Sequence, residues 1–375
     1  MNDLALYVHW PFCAKKCPYC DFNSHVREAV DQDSWRAALL ADLAHEAALL
    51  PGRRLNSIFF GGGTPSLMPP ATTAAIIEAA TRHWLPADTL EITLEANPQS
   101  VEAEKFADLA AAGVNRLSLG LQRFDDESLA FLGRLHDADE GLRALETAQG
   151  AVNRVSFDLI TALPGDTVES FDAVLDQAIG LGTGHISLYQ LTIEPGTRFE
   201  TMVRKGDFTP IDEDLGADLF ELTTQRMSAA GLPPYEISNH ARPGEESRHN
   251  LAYWRYRDYA GVGPGAHGRR NGQRTTRHRK PENFLSAVAR NGHGLREEER
   301  LEPREAVREA LVMGLRLTEG IDLAALENRF ALSAVDPSAV GRMEGQGLLT
   351  SDGHRLKLTP AGRLLNDAIL AEIAL

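Results

Sequence analysis

The stretch "YVHWPFCAKKCPYCDFN", Tyr7 to Asn23, contains every cysteine of this 375-residue chain. Cys13, Cys17 and Cys20 follow a C-x3-C-x2-C spacing immediately after "LALYVH", an apolar run that reads as a strand. Three thiols cannot pair off, and thiolates are soft ligands suited to zinc or iron–sulfur clusters. A structural zinc normally takes four protein ligands, so here it would need His9 or His25 as the fourth. A [4Fe–4S] cluster held by three thiolates instead leaves one iron open to a small molecule.

Working outward from this loop, short apolar runs alternate with helix-length amphipathic segments as far as about residue 230. The strand candidates are "LALYVH", "SIFF", "LEITLE", "RLSLGLQ", "RVSFDLI" and "HISLYQLTI", separated by helical patterns such as "SWRAALLADLAHEAALL" and "VESFDAVLDQAIGLG". Such alternation implies parallel strands joined by helical crossovers. The fold class is therefore α/β, a partial parallel (β/α) barrel, with an open doubly wound sheet as the alternative. In a barrel, Glu95, Gln122, Asp158, Tyr189 and Gln190 would meet at the rim formed by the strands' carboxyl ends.

Composition narrows the function. With 43% hydrophobic and 24% charged residues the chain reads as an ordinary globular protein. A formal net charge of −15 repels polyphosphate backbones and argues against nucleic acid as a partner. Neither a signal peptide nor a run of about 18 apolar residues is evident, so a cytoplasmic protein is expected. In that reducing compartment clustered cysteines are expected to bind metal. The texture divides into residues 1–237 (the barrel), 238–300 (rich in Gly, Arg and aromatics) and 301–375, whose pattern suggests a small, mainly helical, winged-helix-like domain. One basic run, "RRNGQRTTRHRK" from Arg269 to Lys280, reads as a solvated loop or as a patch for a small anionic ligand.

C-x3-C-x2-C after a first strand, followed by "GGGTP", resembles the radical S-adenosylmethionine superfamily. The resemblance implies a [4Fe–4S] cluster on Cys13, Cys17 and Cys20, with S-adenosylmethionine on the open iron. "YVHWPFCAKKCPYCDFN", "FFGGGTP", "LEANP", "SLGLQ", "LGRLH" and "FDLITALPG" resemble, in order, the motifs of the oxygen-independent coproporphyrinogen III oxidase family. By that likeness Tyr7, Tyr19, Gly62, Gly63, Thr64, Glu95, Gln122, Arg134, Asp158 and Gln190 line the S-adenosylmethionine site. The chemistry is compatible: glycines open backbone to a ligand, Glu95 can accept from an amine, Asp158 or Gln122 from ribose hydroxyls, and Arg134 can pair with a carboxylate.

Oxidases of the family carry a further cysteine two places beyond the third, where this chain has Phe22, and an extension before the first strand. Both departures direct the resemblance to the HemW-type haem chaperones. "HNLAYW", containing His249, Asn250, Tyr253 and Trp254, matches the motif associated with haem binding in that group. His249 would offer an imidazole to haem iron, Tyr253 and Trp254 aromatic faces, and the basic run a grip on the propionates. The implied partners are haem and an acceptor haemoprotein, free or at a membrane, with homodimerisation left open. The alternative is an enzyme that decarboxylates a porphyrinogen by radical chemistry.

Overall fold

The computed structural model describes residues 2–375. Six parallel strands carry the chain through its first half: β1 (Asp3–Trp10), β2 (Arg54–Gly62), β3 (Leu85–Ala96), β4 (Arg116–Gln122), β5 (Arg154–Thr161) and β6 (His185–Gln190). Their crossovers include helices α1 (Gln32–Leu49), α2 (Pro70–His83), α3 (Ala138–Ala151) and α4 (Val168–Gly180). The segment expected as one helix, "EAEKFADLAAAG", is broken into Ser100–Ala103 and Phe106–Ala111.

The strand pattern explains the layering. Leu4, Leu6, Val8 and Trp10 of β1, Leu117 and Leu119 of β4, and Phe157 and Leu159 of β5 join one core with the helices. Alternate residues point inward, where Arg116, Ser118, Ser156, Asp158, His185 and Ser187 line the barrel interior. A polar interior inside an apolar shell is what a barrel needs to hold a ligand.

The Gly- and Arg-rich stretch completes this sheet. Strands β7 (Asn239–Ala241), β8 (Tyr259–Val262), β9 (His267–Arg270), β10 (Gln273–Arg277) and β11 (Leu295–Arg300) give eleven strands in the order β11-β10-β9-β8-β1-β2-β3-β4-β5-β6-β7. β8 runs parallel to β1, whereas β7, β9, β10 and β11 are antiparallel to their neighbours. The barrel is therefore partial, with edges at β7 and β11. The last part of the chain is helical around a three-stranded sheet made by Ile321–Asp322, Leu349–Ser351 and Arg355–Leu358. Its helix, strand, helix, helix, strand, strand order is that of a winged helix, with its own core around Leu311, Leu315 and Ile369.

The solvated-loop reading of Arg269–Lys280 is corrected by the structure: much of that run forms β9 and β10, and Arg269, Arg270 and Arg277 are buried. Arg277 donates to Asp42 (3.2 Å) and Glu46 (2.6 Å) of α1, and Arg270 to Glu46 (2.7 Å) and Glu298 (2.7 Å). Burial alone would raise the Glu46 carboxyl, but Arg277 and Arg270 hold it below its ordinary value. Arg274 is also committed, to Glu299, Glu305 and Glu309. Among the described residues, no helix is long and apolar enough to cross a membrane.

Candidate functional site

The cysteine loop leaves β1 at its carboxyl end. Phe12 and Cys13 pair in parallel with His25 and Val26, which pins the loop at both ends. All three cysteines line one cleft at the barrel mouth, together with Tyr19, Gly62, Gly63, Thr64, Glu95, Gln122, Arg134 and Asp158. Eight residues assigned by resemblance to a common site thus do meet. Of the remaining two, Tyr7 lines an adjoining depression and the barrel interior, while Gln190 is exposed and donates to the Gly216 carbonyl (2.6 Å).

Local geometry explains the residue types. Gly62 has φ +113°, and a Cβ there would lie 2.5 Å from the His9 ring. A Cβ on Gly63 would lie 2.7 Å from the Phe12 carbonyl oxygen. Only glycine lets β2 pass this close beneath the cysteine loop. Gln122 occupies left-handed space at φ 69°, a costly conformation for a side-chain-bearing residue and one typical of binding sites.

Asn97 and Arg134 connect the strand ends to the thiols. Thr64 Oγ1 donates to Cys13 Sγ (3.4 Å) and accepts from Asn97 Nδ2 (3.0 Å). Arg134 donates to Asn97 Oδ1 (2.7 Å), the Gly120 carbonyl (2.9 Å), Tyr19 (3.4 Å) and Cys17 Sγ (3.6 Å). The expectation that Arg134 faces a ligand carboxylate therefore meets a guanidinium mostly committed to protein, although its buried Nε has no partner among the described residues. Asn97, just after β3, was missed from sequence; "LEANP" contained it, but only its contacts reveal that it links Thr64 to Arg134.

The donor set fits an iron–sulfur cluster. Burial raises the Cys13 and Cys20 thiols, and the neighbouring sulfurs raise them further. A cationic core would let these two ionise together beside Cys17, where Arg134 supplies one further positive charge. The residues that could close a zinc site are engaged elsewhere. His9 is bonded to Tyr7 (2.9 Å) and the Asn23 carbonyl (3.0 Å), and His25 to Asn23 Oδ1 (3.3 Å).

Deeper in the barrel, burial followed by the charge of Asp158 pushes Glu95 up to about 8. Burial also raises Asp158, to about 6. Between the ordinary value of 4.5 and about 8, folded Glu95 keeps a proton that the unfolded chain releases. Stability of the ligand-free protein should therefore fall as pH rises through that window. Glu95→Gln is expected to flatten this decline and to be more stable at pH 8 by roughly 1–3 kcal/mol. Urea unfolding at pH 5 and pH 8 measures it; identical pH dependence in both proteins would show that Glu95 ionises freely.

"HNLAYW" opens a helix, α5 (Arg248–Trp254), that docks on the barrel. His249 is 1% exposed, with Nδ1 on Ser57 Oγ (2.9 Å) and Nε2 on the Tyr253 hydroxyl (2.8 Å). Its backbone N–H donates to Glu91 (3.1 Å), and burial lowers its imidazole to about 3. Glu91 in turn pairs with Arg154 (2.7 Å) and Arg116 (3.6 Å). Asn250 and Tyr253 line the barrel interior, whereas Trp254 lies against the Arg316 guanidinium, 4.6 Å from its ring centroid, facing the C-terminal part. His249 lines that interior too, but with both ring nitrogens already bonded, so the motif brings no free imidazole to the ligand-accessible space.

Comparison with known proteins agrees with this architecture. A family model for the radical SAM superfamily matches residues 7–178, and one for the HemN C-terminal domain matches residues 301–365. The chain is 44% identical over 295 residues to the heme chaperone HemW of Escherichia coli, covering 76% of each chain. It is 40% identical to the mouse radical S-adenosyl methionine domain-containing protein 1, mitochondrial, over 98% of this chain and 86% of that one. Its fold matches the coproporphyrinogen III oxidase of Escherichia coli with a TM-score of 0.83 and 24% identity, over 99% of this chain and 89% of that one. With motifs, cleft and full-length relatives in agreement, the chain belongs to the radical S-adenosylmethionine superfamily, in the family of the HemW-type haem chaperones.

Proposed function

We propose that this protein is a haem chaperone of the cytoplasm, which binds haem and passes it to an acceptor haemoprotein. The observation that carries this reading is the 44% identity to a protein named as a heme chaperone, over three quarters of both chains. Phe22 supports it. This residue occupies the place of the oxidases' further cysteine, is 61% exposed, and lines both the cysteine cleft and the depression beside it. An apolar residue there suits a flat hydrophobic cargo better than another polar ligand does.

In this reading Cys13, Cys17 and Cys20 hold a [4Fe–4S] cluster, and S-adenosylmethionine lies against Gly62, Gly63 and Thr64. The cluster's chemistry, when bound, is the supply of an electron to that cofactor. Glu95 with its proton removed is the acceptor for the cofactor's amine, whose donated hydrogen bond would stabilise the ionised carboxylate against the burial that otherwise keeps Glu95 protonated. Arg134 holds Cys17 and Tyr19 in place, and Asp158 and Gln122 remain for ribose hydroxyls.

The test pairs two assays on reconstituted, reduced protein. Haem titration is expected to give a saturable complex that transfers haem to an apo-haemoprotein. Incubation with coproporphyrinogen III and S-adenosylmethionine is expected to yield no protoporphyrinogen. Robust turnover of the porphyrinogen, or failure to bind haem, would overturn the reading.

A further inference from the structure

The inference rests on the haem-handling reading and concerns which residue binds the iron. Beside the cysteine cleft, and sharing Phe22, Gly62 and Glu95 with it, lies a second depression whose walls include Tyr253, Tyr259, His267 and Arg279. Tyr253 and Tyr259 stand edge to face, with ring centroids 4.4 Å apart, and present an aromatic wall. Its walls also include His9, whose ring nitrogens are both bonded, and Glu95, which burial keeps protonated, so the depression offers apolar rings, one imidazole with free nitrogens and one guanidinium: groups that an iron porphyrin bearing two carboxylates calls for.

Strand parity puts His267 there. Along β9, Arg270 turns to the helix side, where it meets Glu46, whereas Arg269 turns the other way, its guanidinium 3.6 Å from the Tyr256 ring centroid and 5.4 Å from that of Tyr259. His267 lies two residues before Arg269 and so on the same face. It is exposed, and neither ring nitrogen has a hydrogen-bond partner among the described residues. The other histidines near this space differ. His9 spends both nitrogens on Tyr7 and Asn23, and His249 spends both on Ser57 and Tyr253 while fully buried.

Arg279 is distinguished in the same way. Arg270, Arg274 and Arg277 are paired with carboxylates, whereas Arg279 is exposed at the depression and has no acidic partner among the described residues.

We propose that His267 is the axial ligand of the bound haem, that Arg279 holds a propionate, and that His249 is a positioning residue fixing Tyr253 in the aromatic wall. Partial burial, then the charges of Arg279, Arg274 and Arg277, lower the His267 imidazole, which keeps it neutral as an iron ligand must be.

The experiment is a ferric haem titration of the full-length protein, read by Soret absorbance and electron paramagnetic resonance. His267→Ala is expected to weaken haem at least tenfold and to remove the imidazole signature, which added free imidazole restores. His249→Ala and Tyr253→Phe should both retain that signature, with a smaller and similar loss of affinity. Arg279→Ala should lose the wild-type preference for haem over its dimethyl ester. Because His267 is exposed, its replacement should leave the melting temperature unchanged. An unaltered spectrum in His267→Ala, or loss of the imidazole signature in His249→Ala alone, overturns the ligand assignment while leaving the chaperone reading intact. A wild-type protein that binds no haem overturns the chaperone reading itself.

Discussion

Cys17→Ala, reconstituted anaerobically, is expected to lose essentially all of its iron and sulfide while keeping its far-ultraviolet circular dichroism. On the proposed ligand set the cluster would have three protein ligands and no reserve. Removing one leaves two thiolates to hold a cubane that already lacks a fourth protein ligand, and His9, the histidine next to the loop on β1, has both nitrogens bonded. The fold should survive because the loop is pinned by the pairing of Phe12 with His25 and Cys13 with Val26, independent of metal. Arg134 would keep its bonds to Asn97 and the Gly120 carbonyl. Iron and sulfide analysis decides it. A full iron complement in the variant would refute the ligand set, and a single bound zinc in the wild type would revive the closed-site reading.

Arg277→Ala should lower the free energy of unfolding by about 3–5 kcal/mol, the usual consequence of leaving buried charges unpaired. Arg277, Asp42 and Glu46 all have fully buried side chains. The guanidinium satisfies both carboxylates and Thr275 Oγ1 (3.1 Å) at once, and alanine would replace it with a void between two anions. Arg277→Lys should recover part of the loss, since an ammonium restores charge without the planar fork. Urea denaturation measures both. A midpoint unchanged in Arg277→Ala would mean that the two carboxylates take up protons or water at little cost.

The arginine run shows why some of this structure escaped a reading of sequence alone. "RRNGQRTTRHRK" has no apolar alternation, so nothing local marks β9 and β10 as buried strands. What buries Arg270 and Arg277 is Asp42 and Glu46, more than 220 residues earlier and one helical turn apart on α1. The six parallel strands were legible because each has an apolar face packed on helices and a polar residue at its carboxyl end. The cysteine cleft was legible for a related reason: adjacent strand ends in a parallel sheet must converge, so Glu95, Gln122 and Asp158 could be placed together from order alone. Gln190 broke the pattern because the long helix Glu213–Ala229 approaches β6 and offers the Gly216 carbonyl. The sequence pointed to His249 through its motif and gave no mark to His267. Both are histidines near aromatics, and only the hydrogen bonds made by one and absent from the other separate them.

The position of β1 between β2 and β8 has a consequence for the nascent chain. β2 ends at Gly62, but β8 begins only at Tyr259, about 200 residues later, and Asn23 in the cysteine loop bonds to the carbonyls of Pro264 (2.9 Å) and Arg279 (3.0 Å). At a synthesis rate of roughly 5–20 residues per second, β1 remains an edge strand, with its thiol loop unanchored on one side, for about 10–40 s. The cysteines therefore stay accessible long after their own strand is made, and the loop that carries them is among the last parts of the barrel mouth to be fixed.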